Sequence, residues 1–288
     1  MHIFIRLTFY KLRIIGVCIY TIVHSNRLTL MFPTRYILIW CLNYWSLLIS
    51  AGTCANEVDY MPFDMSLSNW TWKQYEDHVN ITIGTFGQQI LQMMLTLYPS
   101  NHITPEFQLT SMASDLRTNC PNDVLSLHAA SGFKSPVYRY VATNWPSVPV
   151  HPVGLPFPSR YSFHMWDVFA FFGFIPDYIK HPSLSDLQFQ QIVQNEALSF
   201  VKNGRPASSD WKPYPSAVAL LSNTTRITGA YNPVQCKFLL QNGFFDYAWI
   251  NWILCLMKTI PTNDASICYT LYLCKFTLVF YLLKQSRW

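Results

Sequence analysis

Residues 185–203 constrain the fold most, because no other stretch carries so complete a set of helix signals. Phe189, Ile192, Val193, Ala197, Phe200 and Val201 trace one apolar face at helical spacing. Ser185 with Gln188 has the form of a capping box, and Gly204 then Pro206 stop the helix. Around it the pattern changes to β. Residues 137–143, rich in Val and Tyr, read as a strand, and residues 217–221 and 225–229 read as a β-pair.

Upstream, residues 45–52 read as a buried strand that leaves through Gly52 into a loop. That loop puts Glu57 just beyond the strand's carboxyl end, where open α/β sheets place working residues. A short helix is expected within residues 66–78. Another follows over 84–98, where Phe86, Ile90, Leu91, Met94 and Leu97 share a face and Pro99 ends the run. Residues 110–121 read as a helix start or turn, with a helix following through residues 125–130, and residues 235–251 as a short aromatic helix. Between the strand at 137–143 and His164 lies a connection holding Pro146, Pro149, Pro152, Pro156 and Pro158; so long a loop in a compact domain is more often functional than not.

Composition limits the function classes. Charged residues are 12% and aromatics 16%, against about 25% charged in ordinary domains, and part of the apolar excess sits at the two ends. The basic start and apolar run at residues 14–23 resemble a signal peptide or anchor, but ten residues do not span a bilayer. Residues 266–284, apolar except for Lys275, are either a membrane anchor or a tail with no folded role. The formal charge of +5 is scattered without a Lys/Arg cluster, so no nucleic-acid partner is expected. Eight cysteines contain no C-x-x-C pair, which argues against a zinc ribbon or a dithiol redox site, and neither metal nor cofactor is expected. Sequons at Asn69, Asn80 and Asn223 lean extracellular.

His164 and Asp167 stand three apart in the aromatic stretch 160–173. Alone, such a histidine reads as a hydrogen-bonded core residue. Its neighbours in the chain change that reading. Gly52-x4-Glu57, Asp115-x4-Cys120-Pro121, His164-x-x-Asp167 and Phe200-x3-Gly204-x-Pro206 followed by Trp211-Lys-Pro213-Tyr214 occur in this order. Together they resemble the carboxyl-terminal part of the type B carboxylesterases, the family that includes the cholinesterases.

The resemblance implies an α/β chain with a partial α/β-hydrolase fold, the carboxyl-terminal part of a mainly parallel sheet with flanking helices. It divides the chain into an apolar segment 1–44, the family domain over 45–252 and an apolar tail 253–288. It makes His164 a general base and Glu57 its orienting acid. Asp167 either supports the site from behind or serves at the surface or in an ion pair. It joins Cys120 to Cys236, which implies an oxidising compartment and a secreted or membrane-anchored protein.

The family nucleophile is a serine in a G-x-S-x-G elbow upstream of the acid. That motif occurs nowhere in the 288 residues, nor does a Gly-Gly step for an oxyanion loop, and Met165 follows the histidine where the family usually has glycine. The expectation is therefore a carboxylesterase-like fragment, inactive alone, from a truncated gene or an incomplete gene model. A small carboxylic ester would be its substrate only with a nucleophile supplied. The alternative is a non-catalytic, cholinesterase-like binding or adhesion module with a protein partner. A weaker third reading is a membrane-tethered remnant without a stable fold.

Overall fold

The computed structural model of the chain describes residues 49–60, 64–152 and 155–244. The segments expected to act as signal, anchor or tail, residues 1–44 and 253–288, lie outside the described residues.

Strand β1 (Ile49–Cys54) is followed by helices α1 (Trp72–Ile83), α2 (Gln88–Leu97), α3 (Pro105–Ser114) and α4 (Cys120–Gly132). Then come β2 (Val137–Ala142), α5 (Trp166–Phe172), the single turn α6 (Ile175–Tyr178) and the long α7 (Leu184–Asn203). Strands β3 (Val218–Leu221) and β4 (Thr225–Thr228) and helix α8 (Pro233–Gln241) complete the order. The strands lie β1-β2-β3-β4 in one sheet, with β1 parallel to β2, β2 parallel to β3, and β4 antiparallel to β3. The described residues thus form a partial α/β fold: a mixed four-stranded sheet with flanking helices.

Period-two alternation decides what each face of the sheet meets. Cys54, Tyr138, Ala142, Ala219 and Leu221 join Trp166, Phe169, Phe189, Val193 and Phe200 in one core, so this face is covered by α5 and α7. The alternate residues Val141, Val218 and Leu220 form a small second cluster on the other face. Arg139 shares that face and is fully buried. Its guanidinium donates to Thr53 Oγ1 at 3.3 and 3.4 Å, to the Tyr140 carbonyl at 3.0 Å and to the Asn119 carbonyl at 3.2 Å. Asp123, on α4, lies 3.7 Å from its Nε. An arginine in a central strand is tolerable only with its charge matched in this way. A third cluster, including Tyr75, Val79, Leu91, Met94, Leu109 and Met112, holds α1, α2 and α3 together.

Five local expectations need correction. Gly52 does not start a loop, because β1 runs on to Cys54. A Cβ at Gly52 would fall 1.9 Å from Cζ of Tyr140, so the glycine makes room for a cross-strand ring. The helix expected over 84–98 is a short 3-10 turn, Gly84–Phe86, and then α2, separated by Gly87 at φ 107°, a conformation that favours glycine. The helix start or turn expected over residues 110–121 is neither, because the helix has already begun at Pro105 and helical structure runs unbroken to Gly132. A π-helical turn, Asp115–Asn119, joins α3 to α4, and Pro121 is accommodated in the first turn of α4. Finally, the capping box of α7 is made by Ser183 and Asp186 rather than by Ser185 and Gln188. Asp186 wins because its Oδ2 accepts from Ser183 N at 2.8 Å while its Oδ1 accepts from Ser147 N at 3.1 Å, tying the proline-rich connection to the helix. The helix expected to begin at residue 235 begins at Pro233, and its expected end at 251 lies outside the described residues.

Candidate functional site

Two loops meet at the carboxyl ends of β1 and β2. The first, residues 55–60, continues the sheet ladder by one bond, Ala55 N to the Ala142 carbonyl at 2.9 Å, and then turns. The second, residues 159–164, arrives from the proline-rich connection. Neither loop has regular structure, so side chains and isolated backbone bonds must fix them. Asn56 N donates to the Ser162 carbonyl at 2.9 Å, and Ser162 Oγ donates to the Ala142 carbonyl at 2.7 Å. Asp59 Oδ2 accepts from the N–H groups of Arg160 at 2.7 Å and Tyr161 at 2.9 Å, while Ser159 Oγ donates to the Asp59 carbonyl at 3.1 Å. Burial pushes the Asp59 carboxyl well up from its ordinary pKa, although those two N–H donors oppose the shift.

Helix α3 and the π turn hold the first loop from outside. Asn56 Nδ2 donates to Ser111 Oγ at 2.9 Å, Val58 N donates to Ser114 Oγ at 3.1 Å, and Asn119 Nδ2 donates to the Ala55 carbonyl at 3.0 Å. Loop 55–60 is therefore clamped between the second loop and a helix, and the side chain it presents is Glu57.

Glu57 and His164 lie 107 residues apart in the chain and touch in the fold: His164 Nδ1 is 2.7 Å from Glu57 Oε2. The other carboxylate oxygen, Oε1, accepts from Cys54 N at 2.6 Å, so both oxygens are engaged. The Glu57 side chain is only 4% exposed, against 19% for His164. A carboxylate can only accept, so Nδ1 carries the proton and Nε2 carries the ring's basic lone pair. Such an arrangement supplies a general base with fixed orientation, and its carboxylate stabilises the imidazolium formed when Nε2 takes a proton. Tyr60, three residues beyond Glu57, stacks on the imidazole with ring centroids 4.8 Å apart and planes at 25°.

The turn after His164 explains a departure noted in the sequence. Met165 has φ 74°, in the left-handed region, and acts as the N-cap of α5. Glycine is the residue such a turn favours, and a methionine there costs about 1–2 kcal/mol of backbone strain.

Asp167 is 5% exposed, which overturns a surface role for it. It accepts from Tyr140 Oη at 3.0 Å, from Cys54 Sγ at 3.3 Å and from Val168 N at 2.9 Å. Its link to the Glu57–His164 pair runs through Cys54, which gives its thiol to Asp167 and its N–H to Glu57. Cys54, Tyr60, Asp59 and Tyr140 were not singled out in the sequence. Only the closeness of Asp59 and Tyr60 to Glu57 could have pointed to any of them.

The remaining residues fall away from this pair. Cys120 and Cys236 are joined by a disulfide that ties the first residue of α4 to α8. Asn69, Asn80 and Asn223 are all exposed, on a 3-10 turn, on α1 and in the β3–β4 turn respectively. Among the described residues there is no group of His, Cys, Asp and Glu that could hold a metal ion, and no helix is long and apolar enough to cross a membrane.

No protein-family model matches the chain, and no curated protein does. Among solved structures it is similar to the juvenile hormone esterase of Manduca sexta, crystallised with OTFP covalently attached. The TM-score is 0.46 and the identity 14%, over 78% of this chain and 45% of the esterase. The chain thus spans less than half the length of that protein.

Proposed function

We propose that this chain is the carboxyl-terminal part of a carboxylic ester hydrolase of the type B carboxylesterase kind, with Glu57 as the acid and His164 as the base of a serine triad. The observation that carries the reading is the 2.7 Å bond between His164 Nδ1 and a Glu57 carboxylate held by the Cys54 N–H. In this mechanism His164 Nε2 takes the proton of a serine hydroxyl as the oxygen attacks the ester carbonyl, and returns it to the leaving alcohol. Glu57 keeps the required tautomer and stabilises the imidazolium. Cys54 and Asp167 act through Glu57 and are positioning residues.

The serine belongs to a segment outside this sequence, since no G-x-S-x-G elbow occurs in the 288 residues. On this reading the polypeptide alone is inactive. A second reading, a non-catalytic binding module for a protein partner, is favoured by that same absence. Full-length transcript sequencing and labelling with an organophosphonate esterase probe separate the two. The hydrolase reading expects an in-frame upstream elbow, labelling of the longer chain that is lost with His164→Ala, and none of the 288-residue chain. Labelling of the 288-residue chain would overturn the claim of inactivity, and a transcript that encodes no elbow would overturn the hydrolase reading.

The disulfide and the three exposed sequons support passage through the secretory pathway, with the protein released or held at a membrane.

A further inference from the structure

The Glu57 bond holds His164 in the plane of its ring, through Nδ1. The tilt of that plane, and with it the direction of the Nε2 lone pair, is set by what lies against the ring face, and Tyr60 supplies a flat surface there at 4.8 Å and 25°. The platform is itself held, because Tyr60 packs against the main core cluster, which includes Phe163 and Trp166 from the segment that carries His164. It also travels with the acid, since Glu57 and Tyr60 share the clamped loop 55–60. An aromatic face further attracts a cation lying on it, so the same contact favours the protonated ring.

We propose that Tyr60 is a positioning residue for His164, its ring a platform that holds the imidazole plane and favours the imidazolium. The inference rests on the reading of Glu57 and His164 as acid and base. The other titratable groups at this site are Glu57, at 2.7 Å, and Asp167 with the Cys54 thiol and Tyr140 phenol that hydrogen-bond it.

The test is an NMR pH titration of His164 in the full 288-residue chain with labelled histidine, comparing Tyr60→Leu, Tyr60→Phe, Tyr60→Trp and Glu57→Gln. Tyr60→Leu is expected to lower the His164 titration midpoint by about 0.5–1 and to remove the ring-current displacement of its Cε1–H. Tyr60→Phe and Tyr60→Trp keep a π face and are expected to hold both. Unchanged signals from His78 and His102 show that the fold is intact. If Tyr60→Leu does not fold, the tryptophan variant decides the matter, and a lower midpoint there overturns the proposal. So does a leucine variant that titrates as the parent does, or a phenylalanine variant that behaves like leucine. Glu57→Gln is read separately: if it leaves the His164 midpoint unchanged, the acid–base reading fails, whatever the Tyr60 variants show.

Discussion

Replacing Gly52 by alanine should break the link between the sheet and Asp167, and the size of the effect follows from one contact. A Cβ at position 52 would lie 1.9 Å from Tyr140 Cζ and 2.3 Å from Tyr140 Oη. Ordinary contact begins near 3.4 Å, so the ring must retreat by about 1.5 Å. Tyr140 Oη is 3.0 Å from Asp167 Oδ2, and that retreat takes it out of hydrogen-bond range. Overpacking costs about 1–3 kcal/mol. Losing a hydrogen bond to a charged group costs about 1.5–3 kcal/mol more. Alanine returns about 0.5–1 kcal/mol through the smaller entropy of its unfolded chain. The net loss is then about 1.5–5.5 kcal/mol. Urea unfolding of the full chain measures it as a lower midpoint at constant slope. The decisive comparison is the same substitution in a Tyr140→Leu background. There the obstructing ring is gone, and Gly52→Ala should fall within about 1 kcal/mol of neutral, which isolates the coupling. An equal cost in both backgrounds, or none in either, would refute the argument.

Three further outcomes follow from particular residues. Removing the Cys120–Cys236 disulfide, whose ends are 116 residues apart, should lower stability by about 4–5 kcal/mol in the chain-entropy account, and a loss below about 1 kcal/mol in urea unfolding would contradict it. Asp115 is fully buried among Tyr98, Asn119 and Asn232, and burial pushes its carboxyl up from 3.8 to about 6 despite their hydrogen bonds. A raised pKa in the folded state means stability that is present below pH 3.8 and lost as pH rises through 6, here about 3 kcal/mol. Asp115→Asn should remove that component from the stability–pH curve between pH 4 and 7, and identical slopes for variant and parent would contradict the assignment. Expression through a secretory pathway should give glycans at Asn69, Asn80 and Asn223, read as a mass loss on glycosidase treatment; no loss would argue against secretion.

Much of the framework was legible because its signals are local. Strands β2, β3 and β4 are short runs rich in apolar, aromatic and β-branched residues between turns, and α7 shows helical periodicity from Phe189 to Val201. Gly52 misled because a glycine that starts a turn and one that makes room for a ring look alike until Tyr140 is placed beside it. The capping box of α7 was displaced by two residues because two Ser-x-x-polar patterns overlap there, and the bond from Ser147 that favours Asp186 comes from a distant segment. The π turn at Asp115–Asn119 has no sequence signature, and the Arg139 bond to the Asn119 carbonyl that accompanies it joins segments 20 residues apart. At the site, residue types at a familiar spacing pointed to Glu57 and His164. The burial of Asp167, the Cys54 bridge and the Tyr60 platform depend on contacts between distant segments, which periodicity does not record.

The most direct test of the central claim is the tautomer of His164, measured by long-range ¹H–¹⁵N NMR on the 288-residue chain at neutral pH. The expected result is a proton on Nδ1, strongly shifted by its bond to Glu57, and an unprotonated Nε2, with that pattern lost in Glu57→Gln. A proton on Nε2, or a spectrum unchanged by Glu57→Gln, would contradict the assignment of Glu57 and His164 as acid and base.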